Sequence, residues 1–385
     1  RHTVELLRVQ PDVHVEILHT GRSPSRWPPE EVPETLCERQ SKCLAEKLRE
    51  SWWLVIDFPV YTITDAQAIF DNAQFVNHYV FISTDDVYMV CDRARFEYKD
   101  GRLLEDAVRP AEESEQHRLN AEDDYGDDKK KIEEKLMAEM PDQFTSLRLP
   151  DVWGPYENTG RFSAFLRGLA EGHALGLTIP PHDKSGQTFA PAFVFAKDVA
   201  QMVTLLVNVG PQGVMNLGVS ETPTLRELIE FTHALLPDPP PLQLEHAARA
   251  PLVSVDVGPL SIERALSVGF KPTPWRVGWR EAVDAAMDSL TPPPEADDRT
   301  PLPLPKHMGL GRVRLRQEDF RRSFSRFIGD AINGLTYGKL KRAGRECVVT
   351  DRYRDRTITC LFDDGDKFDF PWEAVAEELP KREEL

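Results

Sequence analysis

The chain has 385 residues, enough for one large hydrophobic core and a smaller second one, and carries a formal net charge of -17 with a pI near 5.1. Such a field repels polyanions, which argues against a general affinity for nucleic acid or anionic lipid but leaves room for a small anion in a local basic pocket. No run of about 18 apolar residues exists to cross a membrane, and the five cysteines form neither a CxxC pair nor a Cys/His cluster at metal-ligand spacing. Their odd number fits a reducing compartment and a cytoplasmic location, and no metal site is expected.

The first elements alternate. HTVELLRV reads as part of a helix, VHVEILH as a strand, CLAEKLRES as a helix, WWLVIDF as a strand, AQAIFDNA as a helix and HYVFIS as a strand. A polar, acidic span from Arg93 to Asp124 follows, then a long helix from about Tyr125 to Met140 and a strand FTSLRLP. Strands alternating with helices of this length imply a parallel sheet covered on both faces, with ligands beyond the carboxyl ends of its strands.

That rule bears on FISTDDVYMV, residues 81–90, where an apolar strand runs into two hydroxyls and two carboxylates. Burying such groups unpaired is costly, so Ser83, Thr84, Asp85 and Asp86 either end the strand at the surface, with one aspartate capping a helix, or meet at a site. A second polar cluster places Tyr125 and Lys129 at i, i+4, on one helical face and one turn apart. An ammonium there favours the phenolate and would lower the tyrosine pKa.

Further along, TPPPEADDRTPLPLP (291–305) is a proline-rich, acidic linker, so the chain divides into residues 1–290, the linker and residues 306–385. QEDFRRSFSRFIGDAI reads as a helix with one aromatic face, and RECVVTDRY and RTITCLFDDGDKFDFPW as strands with a turn at Asp364-Gly365. Arg312, Arg314, Arg316, Arg321, Arg322 and Arg326 make the region before these strands basic, either a solvated helix face or a contact for an acidic partner. The last part looks loosely like an SH3 or Tudor barrel, with Tyr353, Phe370 and Trp372 as aromatic surface or as core.

Six ordered segments resemble the extended short-chain dehydrogenase/reductases of the nucleotide-sugar epimerase and dehydratase type: VIDF, FISTDDVY, YGDDK as YxxxK, LRLPDVWGP, FVFAKDVAQMV and GVMNLGVSETPTLRELIE. The resemblance covers about residues 1–290. It implies an α/β fold, a Rossmann-like doubly wound parallel sheet, followed by the small β-rich module. It also implies bound NAD or NADP and a nucleotide-sugar substrate.

By the same resemblance Tyr125 is the acid/base, Lys129 holds ribose hydroxyls and Thr84 bonds the same substrate oxygen as Tyr125. Ser83, Asp57, Pro150 and Asp151 fall at cofactor positions, Asp151 replacing the usual Asn. Arg22, near the end of the second strand, would accommodate the 2'-phosphate of NADP. Asp85 and Asp86 resemble the paired acids of dTDP-glucose 4,6-dehydratases, which leaves epimerisation and elimination both open. Asn158, Arg161 and His182 are the expected substrate contacts. A homodimer, and a protein partner for the carboxyl-terminal module, complete the expectations.

One family feature has no counterpart. The TGGxGFIG turn that holds the cofactor pyrophosphate is not present, and HTVELLRV looks like the helix that would follow it. The expectation is a fragment of a longer polypeptide. The alternative is a non-catalytic scaffold or RNA-binding relative that has kept the fold.

Overall fold

The computed structural model describes residues 2–8, 10, 13–19, 34–37, 42–109, 124–155, 157, 161–172, 175–178, 189–249, 252–290, 312–317, 342–352, 357–363, 365, 367–371 and 374–379. The chain divides into two compact units, one built from residues 1–18, 37–157 and 161–288, the other from 19–36, 158–160 and 289–385. The proline-rich linker and the QEDFRRSFSRFIGDAI helix expected from sequence lie outside the described residues, apart from Gln317.

The first unit begins with helix α1 (His2–Arg8) and is organised by four strands, β1 (Trp52–Asp57), β2 (Val76–Thr84), β3 (Phe144–Leu149) and β4 (Gly213–Asn216). They pair in the order β4-β3-β2-β1, and every pairing is parallel. Strand β2 is central, and eight of its nine residues are buried, which is why it reads as an unbroken apolar run.

Successive side chains of β2 serve opposite faces. Tyr79 and Phe81 pack with Ile69 of helix α2 (Ile63–Phe70) and with Ile132 and Leu136 of helix α3 (Asp124–Glu139). Val80 and Ile82 pack on the other side with Val199, Met202, Val203 and Leu206 of helix α4 (Ala196–Val209). Helix α2 starts sharply because Thr62 and Asp65 form a capping box. The result is a Rossmann-like α/β fold with both sheet faces covered.

The second unit holds β5 (Arg312–Leu315), β6 (Glu346–Arg352), β7 (Thr357–Leu361), β8 (Lys367–Pro371) and β9 (Val375–Leu379), in the order β8-β7-β6-β5-β9. All pairings are antiparallel, giving a half-barrel with Val313, Leu315, Val349, Ile358, Phe362 and Phe370 inside.

Two expectations change here. Arg312–Leu315 is a strand, not part of a helix: Val313 and Leu315 are buried and Arg314 and Arg316 exposed, a period-two pattern that the arginine count had hidden. Four of the five cysteines are paired, Cys37 with Cys43 and Cys347 with Cys360, and Cys91 is a buried thiol. The pairing removes the basis that the odd count offered for a reducing compartment. Of the three aromatics assigned to the module surface or core, Phe370 is fully buried, and Tyr353 and Trp372 lie outside the described residues.

Candidate active site

Three chain segments meet at the carboxyl ends of the parallel strands. Strand β2 delivers Ser83 and Thr84, the register that aligns Thr84 with Leu149 brings Pro150 and Asp151 beside them, and α3 lies across with Tyr125, Lys129 and Glu133. Spacing of four residues puts these last three on one face of the helix.

The floor of this region is a closed polar network. Glu133 and Arg148, both buried, are joined twice: Arg148 Nε donates to Oε1 at 3.1 Å and Nη2 to Oε2 at 2.7 Å. Ser83 and Ser146 hydroxyls donate to the same Oε1 at 2.9 and 2.8 Å, and Arg148 Nη1 donates to Glu105 O at 2.8 Å. Burial works to raise the Glu133 pKa, but the adjacent guanidinium outweighs it and holds the carboxyl below its usual range. Tyr88 extends the network: its ring lies under the Arg148 guanidinium, 4.8 Å from ring centroid to Cζ, and its hydroxyl donates to Asn216 Oδ1 at 2.7 Å.

The rim is different. The Thr84 hydroxyl donates to Asp86 Oδ2 at 2.9 Å and accepts from the Asp86 amide at 3.2 Å, and its side chain works, against burial, to lower the pKa of the Tyr125 phenol. Thr84, not either aspartate, caps the short 3-10 turn Asp85–Tyr88. Asp85 is 5 % exposed, and burial, then the charges of Asp86 and Asp151, push its carboxyl well above the usual range.

Lys129 is buried. Its ammonium donates to Ile82 O at 2.8 Å and stands 4.9 Å from the Phe81 ring centroid and 5.6 Å from those of Tyr61 and Tyr125. The lowering of the Tyr125 pKa expected from sequence is not found. Burial, and after it the negative charge of Asp86, push the phenol up, and the ammonium stands over the ring.

The remaining expected residues divide. Asp57 accepts from the Tyr79 hydroxyl at 3.1 Å, and Pro150 is buried behind Asp151. Asp151 accepts from Arg161 Nη2 and from the Ser254 hydroxyl, each at 2.6 Å, and from the Ser254 amide at 3.2 Å. Arg22, Asn158 and His182 lie outside the described residues. Sequence reasoning missed Glu133, Arg148, Tyr61 and Ser254; the only signal was the i+4 continuation of Tyr125 and Lys129 to Glu133. A separate pocket of about 450 Å3 opens among Tyr98, Phe189, Thr222, Asp256 and Pro259, and none of the residues at the rim or floor lines it.

No protein-family model matches the sequence, and no curated protein matches it. Solved structures do share its fold. A UDP-glucose 4-epimerase of Thermotoga maritima, solved with UDP-glucose, is 14 % identical with a TM-score of 0.57 over 75 % of this chain and 95 % of its own. The Thermus thermophilus UDP-glucose 4-epimerase, in complex with NAD, is 18 % identical with a TM-score of 0.54 over 74 % and 94 %. A UDP-N-acetylglucosamine 4-epimerase from Methanobrevibacter ruminantium, bound to UDP-N-acetylmuramic acid, is 14 % identical with a TM-score of 0.52 over 75 % and 94 %. At these identities the likeness establishes the fold that the sequence motifs imply.

Proposed function

We propose that this chain is an NAD(P)-dependent enzyme of the nucleotide-sugar epimerase/dehydratase kind, with Tyr125 as its acid/base. The observation that supports the reading is the buried Lys129, bonded to Ile82 O at 2.8 Å near Thr84 on the central strand and 5.6 Å from the Tyr125 ring centroid, at the sheet edge where open α/β folds take ligands. A pure scaffold has no need of a buried ammonium at that place.

The donor set fits the nicotinamide half of a dinucleotide such as the Thermus protein holds. Lys129, ringed by Phe81, Tyr61 and Tyr125, would hold ribose hydroxyls, and Asp57, Ser83 and Pro150 belong to the strand ends that border the same place. When bound, the nicotinamide takes up and returns a hydride.

Within the chain, the Thr84 hydroxyl is held by Asp86, giving its proton to Oδ2 at 2.9 Å. A substrate hydroxyl entering between Thr84 and Tyr125 would be fixed by both. The phenol then exchanges its proton with the substrate oxygen. The raised Tyr125 pKa makes it a holder of the proton rather than a phenolate, so an approaching cation is needed to turn it into a base.

Elimination of water is the second reading, favoured by one observation. Asp85 lies buried beside Asp86, burial and that neighbouring charge both push its carboxyl upward, and such a pair divides the roles of acid and base. The test is turnover of UDP-glucose with NAD by the chain and by Tyr125→Phe. The expected loss is about a hundredfold or more with an unchanged melting temperature. Equal turnover by the two proteins would leave the scaffold reading in its place.

A further inference from the structure

We propose that Asp151 and Ser254 hold Arg161, the expected contact for the substrate diphosphate, in a parked position, so that Asp151 sets how tightly an anionic nucleotide is taken. This rests on the nucleotide-sugar reading above and adds the residue that regulates its affinity.

Arg161 opens the helix Arg161–Ala170, and its guanidinium lies over the Trp153 ring, 5.1 Å from the centroid. Nη2 donates to Asp151 Oδ1 at 2.6 Å and Nη1 to the Ser254 hydroxyl. The two partners are not equally fixed. The Asp151 side chain is 6 % exposed and that of Arg161 38 %. A buried acid behind an outward-facing base is an arrangement in which the base is the part that moves.

Transfer costs Asp151 little. After Arg161 leaves, its carboxylate keeps the Ser254 hydroxyl at 2.6 Å and the Ser254 amide at 3.2 Å, so no buried charge is stranded without hydrogen bonds. The planar fork of arginine matches two phosphate oxygens at once, whereas on Asp151 one oxygen takes its bond and shares it with Ser254. A diphosphate therefore offers the guanidinium a better partner than the one it has.

Calorimetric titration of the full chain with UDP tests this, alongside Asp151→Asn, Ser254→Ala, Arg161→Gln and the double variant Asp151→Asn/Arg161→Gln, with melting temperature recorded for each. Asp151→Asn should bind UDP about fivefold tighter, the scale of a part-exposed ion pair, and Ser254→Ala should tighten it less. Arg161→Gln should weaken UDP by about tenfold, and the double variant should match it, with the melting temperature of each close to that of the wild-type chain. UDP binding that is no tighter in either Asp151→Asn or Ser254→Ala, in folded protein, overturns the parking and leaves the nucleotide-sugar reading standing. UDP binding to none of the proteins overturns both.

Discussion

Ser83 and Thr84 are neighbours in one strand, yet they serve two regions of opposite character. Ser83 joins the floor, where Glu133 is buried with Arg148 and every oxygen described has a donor; Thr84 joins the rim, where Asp85 is buried among carboxylates. Burial is nearly the same for Glu133 and Asp85, but the first carboxyl is held below its usual range and the second well above it. The difference is the neighbour's sign. A carboxyl paired with a cation is held ionised; one set among carboxylates is pushed toward holding its proton.

The floor can be broken most severely. Arg148→Met leaves the Glu133 carboxylate with Lys130, 4.0 Å away, as its countercharge and should cost about 3–5 kcal/mol, read by denaturant unfolding. Glu133→Gln should fall in the same range, because it leaves the guanidinium buried. A loss below about 1 kcal/mol in both would mean that the pair is not closed in solution.

Sharpening the rim calls for Thr84→Val. It removes the hydroxyl that acts on the Tyr125 pKa and the cap of the 3-10 turn, and should lower turnover by about tenfold or more with a smaller fall in stability than either floor variant. Equal activity would separate Thr84 from the chemistry.

Asp85→Asn should act in opposite directions on the two properties. A carboxyl whose folded pKa is raised binds its proton more tightly in the native state, so its contribution to stability falls as pH rises from the unfolded value toward the folded one. Removing it should raise the melting temperature at pH 7 by a few degrees while lowering any elimination activity. Glu133 has the reverse sign: its contribution is present above the unfolded carboxyl pKa and is lost as the pH falls through its lowered folded value.

The smallest expected effect lies away from both. His78, hydrogen-bonded to Thr145 at 2.9 Å, has its pKa pushed down to about 4 by burial. The unfolded chain takes up this proton near pH 6.5 and the native chain does not, so stability should decline between pH 6.5 and about 4. His78→Gln should flatten that slope.

Much of the fold could be read because parallel, doubly covered strands are continuous apolar runs, as in HYVFIS, and because Thr84, Tyr125 and Lys129 fall in ordered motifs. The partners could not. Glu133 and Arg148 are 15 residues apart on a helix and a strand, and Ser254 reaches Asp151 across 103 residues, separations with no local pattern. Asp151 was legible as a departure from the usual Asn, but its countercharge on Arg161 was not. Arg312–Leu315 was misjudged because four residues of alternation were weighed against a count of arginines.

Hydride transfer tests the Thr84, Tyr125 and Lys129 arrangement most directly. The chain and Tyr125→Phe are each mixed with NAD and UDP-glucose, and the absorbance of reduced nicotinamide is followed through a single turnover. A transient signal in the wild-type chain that is lost in folded Tyr125→Phe is the expected result. The same signal in both proteins would contradict the assignment of Tyr125 as the proton carrier.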